Sequence, residues 1–175
     1  EEDTVDYITY HKATEFLKNY EEEKNFFLWL SFCNPHPPLD PVEEYYKMYQ
    51  KMDFPIPVNC PEEKIEVYRN QAAAYAALIT QLDNYVGEIM ATLDKLGLRE
   101  ETLIVFTADH GEMLGDFDKV GKCYPYDGSS RVPFIASAPS LIREGTIQSV
   151  PTEIIDVVAT FLEIGGVDDL QAHIP

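Results

Sequence analysis

The chain has 175 residues, 45% hydrophobic and 25% charged, a composition that suits a packed core, or part of a larger one, and excludes a disordered chain. Its formal net charge is −18, from 13 Lys and Arg against 31 Asp and Glu, which excludes the basic, counterion-releasing surface of a nucleic-acid binder. No apolar run approaches the roughly 18 residues of a membrane helix, and the first residues show no signal-peptide pattern.

Residues 3–20 read as a helix with a loose apolar face of Tyr7, Tyr10, His11, Thr14, Phe16 and Leu17. After an acidic run, residues 26–32 (Phe-Phe-Leu-Trp-Leu-Ser-Phe) form a short aromatic-rich segment bounded by polar residues and prolines, the pattern of a fully buried strand. It stops at Asn34-Pro35-His36-Pro37-Pro38, where three prolines forbid both helix and ladder. Residues 41–52 read as a short helix and 54–59 as a Pro-rich loop.

The clearest element spans 61–96. Tyr68, Ala72, Tyr75, Ile79, Leu82, Val86, Ile89, Leu93 and Leu96 recur at alternating steps of four and three, predicting a long amphipathic helix opened by Pro61 and stopped by Gly97. A second buried strand is predicted at 103–107, a third at 132–136, and a last helix at 152–164, closed by Gly165-Gly166. Three apolar strands separated by helices indicate an α/β layered fold, in one domain or a piece of one. Cys33, Cys60 and Cys123 are odd in number and lack metal-finger spacing, so free, buried or half-buried thiols are expected.

In open α/β sheets ligands bind beyond the carboxyl ends of the strands, and two predicted strands end on polar residues. One ends at Asp109-His110-Gly111-Glu112, the other at Asn34-Pro35-His36. Asp109 and His110 offer a carboxylate oxygen and an imidazole nitrogen from adjacent residues, a plausible half of a divalent-cation site. Equally, Asp109 could cap a following helix, with His110 a surface residue. The next residues favour a site: Lys119 and Lys122 follow within a few positions, in a chain poor in lysine and rich in acid.

The run T-L-I-V-F-T-A-D-H-G-E-M-L-G-D at 102–116, followed by G-K-C-Y-P-Y-D-G-S-S-R-V-P-F-I at 121–135, closely resembles the second signature region of the sulfatases of the alkaline-phosphatase superfamily. Upstream, Asn25-Phe26-Phe27-Leu28, Ser31 and Pro35-His36-Pro37 echo a further pattern of that family, as do Tyr75, Asp83 and Gly87 in the long helix and Thr152-Glu153-Ile154-Ile155-Asp156 near the end. The resemblance covers nearly the whole chain.

It implies a mainly parallel sheet flanked by helices, with residues 1–175 an incomplete part of an alkaline-phosphatase-like catalytic domain. Asp109 and His110 would bind a divalent cation, usually calcium in sulfatases, although a nitrogen donor leaves the ion's identity open. Lys122 would contact the sulfate oxygens, and His36 would sit near the ester oxygen as a donor. Lys119 is expected to be solvated, and Arg131 to make an ion pair or hold its loop. Many relatives carry a His where this chain has Phe117, so a substrate contact at that position is in doubt.

Sulfatases attack with a formylglycine made from the Cys or Ser of C/S-x-P-x-R. Segments beginning at Cys33, Cys123, Ser137 and Ser149 start correctly, and none has Arg in the last position. The nucleophile is therefore expected outside this chain, and the chain alone is expected to be inactive. The implied substrate is a small-molecule or glycan sulfate ester, and the implied location periplasmic or extracellular. Two alternatives are a phosphodiesterase or phosphonate monoester hydrolase of the same superfamily, and a module without turnover.

Overall fold

A computed structural model describes residues 4–21, 24–167 and 169. They fall into two compact units, 1–142 and 143–175. The first holds helices α1 (Val5–Lys18), α2 (Glu43–Tyr49) and α3 (Ile65–Lys95), strand β1 (Ile104–Thr107), the one-turn helix α4 (Asp127–Ser130) and strand β2 (Phe134–Ser137). The second holds α5 (Ile154–Ile164).

Helix α1 begins where the side chain of Thr4 accepts the Tyr7 N–H at 3.2 Å, a side-chain N-cap. Its buried residues are Asp6, Ala13, Thr14 and Leu17, while Phe16, placed on the apolar face by sequence, is exposed. A short 3-10 turn at Glu62–Lys64 leads into α3. That helix ends as expected at Gly97, where Leu98 N–H returns to Leu93 O at 2.9 Å and Gly97 N–H to Asp94 O at 3.1 Å, the paired bonds of a Schellman close.

The buried face of α3 is wider than the expected stripe, of which Tyr68, Leu82, Ile89 and Leu93 are buried and Ala72, Tyr75 and Val86 half-buried. Ala74, Ala77, Leu78, Gln81, Leu82, Tyr85 and Ile89 face inward, and Ile79 and Leu96 face solvent. The reason is that α1 and α2 both pack on α3, so the helix is covered on more than one side. Tyr10 stacks on Tyr85 at 5.2 Å and 11°, and the Tyr49 hydroxyl meets Thr80 Oγ1 at 2.6 Å. Polar residues with an apolar body are thus recruited into the interface, and Gln81, 2% exposed, is satisfied by the Tyr85 hydroxyl at 3.1 Å.

The core joins Ala13, Leu17, Ile89 and Leu93, with Phe26, Leu28, Leu30, Phe32 and Ile104 packed against it. Residues 26–32 alternate between half-buried and exposed with the period of a strand, Phe27 and Trp29 being 69% and 74% exposed. They carry no ladder among the described residues, so the fully buried strand expected there is instead an extended segment lying on the helices.

The two strands pair antiparallel, from Ile104 with Ser137 to Thr107 with Phe134. The expectation of a mainly parallel sheet concerns the whole domain, of which this chain holds one antiparallel pair among the described residues. The connection between them holds a 3-10 turn at Asp116–Asp118 and the one-turn α4, without the crossover helix that a parallel return requires. Both strands are less buried than expected: β1 is half-buried throughout, and Phe134 and Ile135 of β2 are exposed. Cys33 and Cys123 are exposed rather than buried. No helix among the described residues is long and apolar enough to cross a membrane.

Candidate active site

Directly after β1 the chain enters a loop block, and Asp109 does not cap a helix: residues 108–115 are irregular. The Asp109 side chain is 85% exposed, and its Oδ2 lies 3.4 Å from His110 Nε2. The His110 ring is oriented by its other nitrogen, 2.8 Å from Gly111 O. Only a protonated Nδ1 can donate to that carbonyl, which leaves the Nε2 lone pair pointing outward in the neutral imidazole. Metal-binding histidines are commonly held by such a bond. Lys122 closes the group, its Nζ 2.6 Å from His110 Nε2.

Asp109 Oδ2 and His110 Nε2 lie 3.4 Å apart and are donor types that suit a divalent cation, which would take the Nε2 lone pair from the Lys122 ammonium that engages it here. Among the described residues no cluster of three or more His, Cys, Asp or Glu forms around a common point.

Backbone packing fixes the block. Gly111 N–H donates to Ser129 O at 2.8 Å, and a Cβ on Gly111 would lie 2.1 Å from Gly128 O, so only glycine lets α4 approach the Asp-His pair. Gly115, at φ +99°, lies against the Tyr68 ring, which an added Cβ would meet at 2.4 Å. Leu114, Phe117, Asp118 and Cys123 also have positive φ, a costly conformation for residues with side chains.

Hydrogen bonds hold these positions. Asp118 accepts from Lys64 Nζ at 2.7 and 2.8 Å and from the Tyr68 hydroxyl at 2.7 Å, fastening the block to the start of α3. The lysine and then the tyrosine hold the Asp118 carboxyl below the usual carboxylate range, while its hydrogen bond pushes Lys64 and Tyr68 up. Phe117 N–H donates to Val58 O at 2.6 Å and Val58 N–H to Asp116 Oδ1 at 2.7 Å, so the Pro-rich loop is tied in as well. Phe117 stacks on Tyr126 at 4.4 Å and 15°. Burial, and secondarily the charge of Glu112, pushes the Tyr75 hydroxyl up.

The structure thus brings Asp109, His110 and Lys122 together. His36 is exposed, and its hydrogen bonds are local, its N–H to Cys33 O at 2.9 Å and its Nδ1 to Pro37 O at 2.7 Å; neither joins it to the other three. Lys119 lies over an aromatic ring, its ammonium 4.7 Å from the centre of Tyr124. Arg131 donates its backbone N–H to Asp127 O at 2.9 Å.

Three supporting residues were missed by sequence reading. Asp6, 3% exposed, accepts Cys33 N–H at 2.6 Å and Asn34 N–H at 3.0 Å, anchoring the turn that carries His36. Glu112 accepts two backbone N–H groups of the Lys122 loop, and Asp118 makes the clasp to α3. In sequence Asp6 reads as first-turn helix acid and Asp118 as solvated charge. Only Glu112, next to Asp109-His110-Gly111, carried a positional hint.

Comparison with known proteins places the chain among relatives. The Sulfatase family model matches residues 2–167. The arylsulfatase of Clostridium perfringens (strain 13 / Type A) is 31% identical over 179 residues, covering 90% of this chain and 37% of that protein. The multifunctional alkaline phosphatase superfamily protein PehA of Trinickia caryophylli is 32% identical over 190 residues, covering 89% and 37%. The solved phosphonate monoester hydrolase of Silicibacter pomeroyi superposes with a TM-score of 0.80 at 31% identity, covering 94% of this chain and 38% of that one. The α/β layered fold is therefore that of an alkaline-phosphatase-like domain, of which this chain spans little more than a third of the relatives' length. With a family match across both the Asp109–Lys122 block and the helices that carry it, the chain belongs to the sulfatase family.

Proposed function

We propose that residues 1–175 form part of the catalytic domain of a sulfuric ester hydrolase, a sulfatase acting on a small-molecule or glycan sulfate ester. The observation that carries this reading is the convergence of Asp109, His110 and Lys122, with a lysine ammonium 2.6 Å from an imidazole lone pair in a chain of net charge −18. In a field that repels anions, a cation held this closely has a specific task, and a sulfate group needs its spread negative charge balanced locally.

Asp109 Oδ2 and His110 Nε2 would be the two ligands this chain gives to a divalent cation, calcium or another of its class, with the Lys122 ammonium released from the Nε2 lone pair to face the sulfate. The bound cation supplies charge neutralisation at the sulfate oxygens. Lys122 binds those oxygens beside it. His36 donates a proton or hydrogen bond to the leaving ester oxygen. The formylglycine nucleophile and the remaining ligands lie outside this chain, which by itself is inactive because effects of groups acting as a unit are not additive. The family's usual placement puts the intact enzyme in the periplasm or outside the cell.

Likeness to a phosphonate monoester hydrolase at 31% identity favours one second reading, hydrolysis of a phosphonate or phosphate ester at the same site. The test is turnover by the intact enzyme. An aryl sulfate cleaved with higher kcat/KM than an aryl phosphonate monoester supports the first reading, and the reverse order the second. Lys122→Ala is expected to lower kcat/KM about 10²–10³-fold, and Lys119→Ala less than about tenfold. Near-normal kinetics of a folded Lys122→Ala enzyme would remove that lysine from the site.

A further inference from the structure

We infer that Glu112 is a positioning residue that holds Lys122 against the Asp109–His110 pair. The inference rests on the reading of Lys122 as the sulfate-binding cation. Gly121, the residue before Lys122, is gripped on both sides by two consecutive residues. Its N–H donates to Glu112 Oε1, and its carbonyl accepts the Met113 N–H at 3.0 Å. The same Glu112 oxygen accepts the Leu114 N–H at 3.3 Å, at a residue with φ +46°. One carboxylate oxygen therefore fastens both ends of the loop 114–121.

This arrangement has a physical purpose. Lys122 sits on an exposed loop, and a four-carbon side chain on a mobile backbone would lose rotamer entropy each time it engaged a substrate. Leu114, Phe117 and Asp118 in the loop are left-handed and would relax toward ordinary conformations if released. A charged acceptor on backbone N–H groups is the stronger kind of hydrogen bond, and here it starts two residues after His110, the group that Lys122 touches. The segment 109–113 thus supplies the metal-ligating pair and also sets the distance from it to the lysine. With Oε1 bonded to two amides, Glu112 fastens the loop.

The test uses the intact enzyme with Glu112→Ala and Glu112→Gln. Glutamine keeps an oxygen that accepts both N–H groups. Glu112→Ala is expected to lower kcat/KM about 10- to 10²-fold, the scale of a misplaced binding group, and Glu112→Gln to recover most of it. In a Lys122→Ala background the same Glu112→Ala change is expected to cost nothing more, because the group it serves is gone. An equal loss in both backgrounds would overturn the inference. Amide hydrogen exchange gives a readout apart from turnover: Gly121 should exchange at least about tenfold faster in Glu112→Ala than in Glu112→Gln, at matched global stability. Unchanged protection of Gly121 would overturn the inference too. If Lys122→Ala alone proves kinetically silent, the sulfate-binding reading of that lysine fails, and the Gly121 exchange still decides whether Glu112 holds the loop.

Discussion

The layer formed by α1, α3 and residues 26–32 and the loop block 108–131 obtain order by opposite means. The layer is held by apolar burial, with Leu17 and Leu78 each 2% exposed and regular backbone throughout its helices. In the block only Met113, Gly115 and Ser129 are buried, and it depends on carboxylates bonded to chosen amides, on left-handed residues and on glycines where backbones meet. Burial is non-directional and tolerates rotation of a helix. A network of directional bonds fixes side chains to within tenths of an ångström, which is what a charged site requires.

This contrast predicts where changes act. The largest stability effect is expected in the layer: Leu78→Ala, truncating a fully buried side chain of α3, should cost about 2–5 kcal/mol in chemical denaturation. Lys122→Ala should leave that midpoint unchanged while abolishing most of the turnover. A comparable loss of stability from both would break the contrast. Next, Gly115→Ala should cost on the order of 3 kcal/mol, because its left-handed backbone and the Tyr68 ring both oppose a Cβ. If the protein tolerates it without a shift in melting temperature, the block is softer than its bonds imply.

Asp6→Ala sharpens the comparison, since Asp6 belongs to the layer by position and to the site by contact. Leaving the Cys33 and Asn34 N–H groups without their acceptor should cost roughly 1–2 kcal/mol, and it should also raise KM through the His36 turn. A change in stability with kinetics untouched would make the anchor purely structural.

The smallest effect is a pH dependence of the clasp. Asp118 is depressed by Lys64 and Tyr68, so its contribution is present above the unfolded carboxylate pKa and is lost as pH falls through the lower folded value. Lys64 is raised by Asp118, so its contribution is present below the unfolded lysine pKa and is lost as pH rises through the higher folded value. The clasp should hold across the neutral range and loosen only at the acid and alkaline extremes. An Asp118→Asn variant should flatten both limbs, and identical pH profiles for the two proteins would show that the ion pair contributes nothing measurable. Because these groups are well exposed to solvent, the change should be small.

The four longer helices, the two paired strands and the family could be read from the residues alone. A 31-residue helix shows in any four–three repeat, and its Gly97 stop was placed correctly. The block from Asp109 to Lys122 was legible because its chemistry is local: neighbouring residues of unusual type, close in the chain, remain close in space. The tertiary structure decided how far the buried face of α3 extends beyond the Tyr68, Leu82, Ile89 and Leu93 stripe, since that depends on α1 and α2 arriving from other parts of the chain. It decided the antiparallel direction of β1 and β2, which follows from a connection without a crossover helix. It also decided that Asp6, Glu112 and Asp118 support the site, through bonds to residues 27 and 28, 2 and 9, and 54 and 50 positions away. A carboxylate that caps a distant amide has the same letter as one that faces water, and only the folded chain brings the amide to it.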